Sequence, residues 1–271
     1  MRTSNELRTK RCCHSREDLK PQLLARFLVF VIILMMQPLD AEDKTSEPHS
    51  PIPNSTLQVL VVITQDWTAT SGFLSKFARE SPYALWIKAG STIPVVVGRS
   101  GLGWAPGLQS PYLAGPIKHE GDGRSPAGVF RLATFFGYAV PSRTLRNRYV
   151  RVQNDTLCIA DSYSRYYNQI VNAKTIPSPD WSVAEQMLRS DNLYELGEFV
   201  EVNSNPALPG RGSCIFIHVW RDRRSPTVGC TATSFLNVRD LIEWLDLEKH
   251  PVLVQIPRRK YEELRRLWKL P

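Results

Sequence analysis

The sequence predicts a mainly β domain with a few short helices. Three observations lead there. The apolar runs are short and rich in Val, Ile and Phe: LQVLVVIT (57–64), GVFRLATFFGYA (128–139), CIFIHVW (214–220) and PVLVQIP (251–257). Gly- and Pro-rich stretches separate them, as turns separate strands. The runs do not alternate regularly with helical patterns, which argues against βαβ units and for a mainly antiparallel arrangement.

Length and composition bound the rest. A chain of 271 residues, 42% apolar and 22% charged, fits one globular domain plus tails. A core of that size needs neither metal nor disulfides to fold. The net charge is +8, of which residues 1–41 carry +3, seven Lys/Arg against four Asp/Glu. The remaining +5 makes a mildly basic surface suited to anionic partners. No RNP, helix-turn-helix or zinc-finger pattern is present, so nucleic acid is not the expected partner. His119 lacks ligand partners at metal spacing, and no metal or other cofactor is expected.

Along the chain, a long basic segment precedes the ten apolar residues FLVFVIILMM (27–36), and a polar exit follows. That pattern predicts a signal sequence over residues 1–41 and export to the periplasm or cell wall. Ten apolar residues are too few for a spanning helix, which needs about 20. An uncleaved segment would instead tether the chain to a membrane through residues 23–36. Residues 42–56 are polar and Pro-rich and read as a linker. A strand follows at 57–64, then a hairpin or two strands over 83–98 with a turn at Gly90. Residues 99–128 read as a long loop. The pattern S-x-x-E at Ser182 and Glu185 predicts a capped helix over about 182–190. Strands are expected at 199–203 and 214–220. A helix is expected at 235–245, with Val238, Leu241, Ile242 and Leu245 on one face. A strand at 251–257 and a basic C-terminal helix within 258–271, packed by Tyr261, Leu264 and Trp268, close the chain.

The chemistry concentrates near residue 218. Alternation in CIFIHVW puts Ile215, Ile217 and Val219 on one apolar face and Cys214, Phe216, His218 and Trp220 on the other. The loop RDRRSPTVG can return Cys230 to the end of that strand. An imidazole beside a thiol removes its proton and makes a nucleophile. The turn at Gly229 would expose backbone N–H groups that stabilise an oxyanion. Spacing alone leaves open a buried histidine that lies near an unrelated cysteine. The exported part holds three cysteines, an odd number that leaves at least one thiol unpaired. Pairing Cys158 with Cys214 would leave Cys230 free.

The stretch IFIHVWRDRRSPTVGCTATS resembles the signature of the L,D-transpeptidase (YkuD-type) catalytic domain, a strand ending in His and then Ser/Thr-x-Gly-Cys, here Thr227 to Cys230. GPIKHEGDGRSPAGVFRLATFFGYA (115–139) and CIADSYSRYYNQIV (158–171) look like two further blocks of one branch of that family. The resemblance covers about residues 57–257. It implies a β-sandwich or barrel-like catalytic fold acting on peptidoglycan stem peptides. It implies Cys230 as nucleophile, His218 as base, the carbonyl of Val219 as the group orienting His218, and the N–H groups of Val228, Gly229 and Cys230 as the oxyanion hole. The acyl group would pass to an amine of another stem or, in some members, of an envelope lipoprotein. Many relatives carry Gly after the His and Ile/Val-Arg after the Cys, where this chain has Val219 and Thr231-Ala232. Arg221, Arg223 and Arg224 are candidates for the missing substrate-binding arginine. Glu120, Asp122 and Arg124 of the EGDGR segment are candidates for lining the cleft, or else for stabilising a turn. Capture of the same acyl-enzyme by water, giving a carboxypeptidase or cross-link hydrolase, and a non-catalytic wall-binding domain are the alternative readings.

Overall fold

The computed structural model describes residues 50–109, 113–140 and 148–271. The expected signal segment and the first part of the expected linker lie outside the described residues. From Pro48 onward the chain forms one unit. Its elements are β1 (Gln58–Thr64), β2 (Ser71–Ala78), β3 (Ile87–Val96), β4 (Leu102–Trp104), β5 (Ser125–Gly137), β6 (Tyr149–Arg151), β7 (Thr156–Ile159), β8 (Ile170–Asn172), β9 (Ala184–Gln186), β10 (Leu196–Glu201), β11 (Phe216–Val219), β12 (Thr231–Thr233), α1 (Phe235–Trp244), β13 (Val252–Pro257) and α2 (Arg258–Leu264).

The fold is mainly β, as the strand-like runs predict. The order β10-β11-β12-β3-β2-β1-β13-β5 closes on itself through a β10–β5 pairing, which makes a closed eight-stranded barrel. Closure removes the unpaired edges that an open sheet would expose. The pairing is mostly antiparallel, but β1 runs parallel to β13 and β11 parallel to β12. The second parallel pair is what brings the histidine strand beside the cysteine turn.

β1 is buried along nearly its whole length, with Val59, Leu60, Val61 and Val62 at most 2% exposed. One cause lies in the tail. Leu264, Trp268 and Leu270 belong to the same core cluster as these valines. The C-terminal segment is therefore a cover over the barrel, and its helix ends at Leu264, earlier than expected. The end of the supposed linker is also part of the fold: Ile52 is a core residue, and Ser50 Oγ donates to the carbonyl of Trp268. α1 presents Val238, Leu241 and Ile242 to the core as its spacing predicts, and the Ser234 hydroxyl caps its first turn by accepting from Asn237 N–H.

Three further expectations change. Residues 83–98 form one strand preceded by a loop. Gly90 (φ 71°) sits where β3 slips register against β2, so it marks a bulge and not a hairpin turn. The expected loop over 99–128 contains β4 and the first residues of β5. The expected helix at 182–190 is absent, and Ala184–Gln186 is a strand paired with β7. Ser182 does not cap Glu185; its N–H and hydroxyl both donate to the carboxylate of Asp161, at 2.7 Å each. A contact across 21 residues thus overrides the local signal.

Strands β8, β7 and β9 form a small second sheet carried by the segment between β6 and β10. A disulfide from Cys158 in β7 to Cys214, just before β11, ties it to the barrel. Among the described residues Cys230 has no disulfide partner, and it is buried. Phe136, Met187, Tyr194, Phe216, Cys158, Cys214 and Cys230 belong to a second apolar cluster between sheet and barrel. The disulfide closes a loop of 56 residues, which on chain entropy contributes about 4 kcal/mol. The double variant Cys158→Ser/Cys214→Ser is expected to lose about that much stability, read as a lowered urea midpoint with a somewhat larger m-value, because the unfolded chain is no longer cross-linked.

Candidate active site

The turn Thr227–Cys230 is fixed from two sides. Thr227 exchanges backbone hydrogen bonds with the segment after β3: its N–H donates to the Val97 carbonyl (2.9 Å), and Arg99 N–H donates to its carbonyl (2.8 Å). The carbonyl of Cys230 accepts two hydroxyls, Thr227 Oγ1 at 2.6 Å and Ser125 Oγ at 2.7 Å. Ser125 Oγ also accepts from Gly98 N–H. This needs glycine at 98, where an added Cβ would lie 2.3 Å from the carbonyl oxygen of Gly123.

His218 sits opposite Ala232 in the parallel β11–β12 pair. Cys230, two residues earlier, is its diagonal neighbour at about 8 Å between Cα atoms, given strand spacing and rise. Both side chains line one cleft of about 280 Å³. The ring of His218 is held in place: Nδ1 lies 2.8 Å from the Val219 carbonyl oxygen. A carbonyl only accepts, so Nδ1 carries the proton and Nε2 is left bare as a proton acceptor. The ring of Tyr194 packs edge-on against the imidazole at 5.1 Å.

Burial sets the charge state. Desolvation pulls the His218 imidazolium down to about 4, opposed by its carbonyl contact. Desolvation pushes the Cys230 thiol up to about 12, with the Glu185 carboxylate adding to the effect. The resting pair is therefore neutral thiol and neutral imidazole. Sγ accepts a weak bond from Phe216 N–H at 3.4 Å, which favours the thiolate once it forms.

Of the three N–H groups expected to face an oxyanion, one is already used. Gly229 N–H donates to Thr227 Oγ1 at 3.1 Å. Those of Val228 and Cys230 have no acceptor among the described residues. The candidate oxyanion site is thus a pair of donors, and Gly229 serves the turn.

The arginines divide as well. Arg221 lines the cleft, whereas Arg223 and Arg224 are exposed outside it. Sequence reasoning missed Arg189, which enters the same cleft from the second sheet's segment. Its guanidinium is fixed by two bonds to Asp191 (2.7 and 2.8 Å) and lies 5.1 Å over the Tyr194 ring. Glu185 was also missed as a cleft residue. It accepts the Tyr194 hydroxyl, and burial raises its carboxyl. No local motif marks these residues, because they reach the cleft only through the docking of another sheet.

Glu120, Asp122 and Arg124 do not line the cleft. The Asp122 carboxylate accepts from the N–H groups of His119 and Arg124 and from Lys118 Nζ. Arg124 donates to the Leu102 carbonyl, and Glu120 accepts the Tyr167 hydroxyl. They build the loop on which the cysteine turn rests. The same loop buries Lys118, whose side chain is 4% exposed and whose Nζ would lie 3.7 Å from a Cβ at Gly229.

Comparisons with protein-family models, curated proteins and solved structures find no match. The site stands on its own geometry.

The buried imidazole has a stability consequence. An unfolded histidine takes its proton near pH 6.5, but His218 in the fold does so only at about 4. The unfolded chain binds the proton first, so its neutral burial favours folding fully above about pH 6.5 and progressively less down to about pH 4. The difference is about 3 kcal/mol. His218→Gln should lose less stability than wild type between pH 7 and pH 4, measured by urea unfolding at both.

Proposed function

We propose that this chain is an exported cysteine acyltransferase acting on peptidoglycan stem peptides, an L,D-transpeptidase. The observation that carries the reading is one cleft lined by a free thiol and a histidine of fixed tautomer, with two unused backbone N–H groups in the turn beside them. The resemblance of residues 115–139, 158–171 and 215–234 to that family supplies the substrate class. The Cys158–Cys214 disulfide supports export, because such bonds persist in oxidising compartments.

In this reading the thiol of Cys230 attacks the donor carbonyl as its proton passes to Nε2 of His218. The tetrahedral oxyanion is received by the N–H groups of Cys230 and Val228. Collapse expels the terminal amino acid as an amine, which takes the proton from the imidazolium. An acceptor amine then attacks the thioester, gives its proton to His218, and the released sulfur recovers the thiol. A neutral starting pair fits this sequence: imidazolium exists only transiently and is a strong acid toward the leaving amine. Arg189, with Arg221 at the rim, takes the place of the arginine that many relatives carry after the cysteine. The Nε and Nη2 edge of Arg189 is held by Asp191, so a substrate carboxylate would meet its remaining Nη1 edge together with Arg221.

Intact-mass analysis after incubation with a carbapenem tests the reading. Wild type is expected to gain one covalent adduct, and Cys230→Ala none while remaining folded. Full turnover by Cys230→Ala on muropeptides would overturn the proposal. His218→Ala should slow acylation by about 10²–10⁴-fold, measured as adduct formation against time.

A further inference from the structure

A second feature lies far from the cleft. The loop before β3 and the C-terminal segment enclose a groove of about 690 Å³, lined by Arg79, Tyr83, Leu85, Arg265, Arg266 and Lys269 among others. Two apolar side chains stand out from it almost fully, Tyr83 at 94% and Leu85 at 87% exposed, with Ile87 beside them. Arg266 and Lys269 have no acidic partner among the described residues. The acids nearby are Glu80 on the loop and Glu262 and Glu263 on α2, and Glu263 is paired with Arg259 and Lys260. Protruding Tyr and Leu tips ringed by cations gain little from a hydrated polyanion. They gain from an interface with charge outside and hydrocarbon beneath.

The path of the chain points the same way. Ser50, where the described chain starts, bonds to Trp268, and Arg79 donates to the Pro53 carbonyl. Trp86 of the loop donates to the Lys269 carbonyl. The fold is therefore entered at this face. The apolar run 27–36 ends fourteen positions upstream of Ser50, at most about 50 Å of extended chain.

We propose that this face docks on an anionic lipid bilayer, with Tyr83 and Leu85 entering the interface and Arg265, Arg266 and Lys269 on lipid phosphates. β3 runs from this face to the cysteine turn, which leaves the cleft roughly 30 Å away along the strand.

Hydrogen exchange of the full chain with vesicles tests this, using phosphatidylcholine alone or mixed with phosphatidylglycerol. Peptides covering 81–88 and 265–270 are expected to become protected on the anionic vesicles only. Arg266→Gln/Lys269→Gln should weaken that binding about thirtyfold, and Tyr83→Ser/Leu85→Ser should abolish the protection without lowering the urea midpoint of the fold. Failure to float with anionic vesicles would overturn the proposal. So would flotation without protection of these peptides, since the contact then lies elsewhere. Equal protection by soluble polyglutamate, unaffected by Tyr83→Ser/Leu85→Ser, would identify a polyanion site and also overturn it. None of these outcomes depends on the acyltransferase reading, which the adduct reports separately.

Discussion

One peptide oxygen holds the candidate site together. The carbonyl of Cys230 accepts hydroxyls from Thr227, within its own turn, and from Ser125, at the start of β5. Each bond contributes about 1 kcal/mol net. Their larger effect is orientational. They fix the peptide plane that follows Cys230, and so the direction of the strand carrying Ala232 beside His218. The close approach at Gly98 belongs to the same anchoring, because Gly98 N–H donates to the Ser125 hydroxyl that holds the carbonyl. Residues that resemble a substrate loop in sequence are, in space, the support beneath the turn.

Electrostatics then divides the cleft in two. The wall formed by β11 and β12 is apolar and desolvated, and it keeps thiol and imidazole neutral. The wall from the second sheet is charged, with Arg189 locked to Asp191 and Glu185 closed by the Tyr194 hydroxyl. A ligand entering there meets fixed charges on one side and the uncharged thiol and imidazole on the other. Fixed charges of this kind need no reorganisation when a substrate arrives.

Much of this was legible in the sequence where the cause is local. Period-two alternation sorted Ile215 and Ile217 into the core and His218 away from it. Period 3.6 found the buried face of α1. The Val219 carbonyl lies on the strand itself, so its role as partner of His218 was readable in advance. What escaped depends on distant contacts. Asp161 took the Ser182 groups that would have capped a helix, and the strand holding Glu185 followed. Arg189 reaches the cleft only because its segment is pinned at Cys214. The use of Gly229 N–H by Thr227 was local, and Thr-x-Gly could have signalled a side-chain turn.

The free thiol lies among the atoms of a disulfide half. Sγ of Cys230 is 3.6 Å from the carbonyl oxygen of Cys214, and Phe216 N–H, two residues on, donates to it. In an oxidising medium Cys230 is therefore a rival for Cys214, and Cys158, Cys214 and Cys230 allow three pairings among themselves. Two of those consume Cys230. Pairing of β11 with β12 draws the thiol into the apolar cluster and out of the competition. A chain in which β11 pairs with β12 before the sulfurs oxidise thus keeps Cys230 as a thiol, and one in which Cys230 bridges first does not.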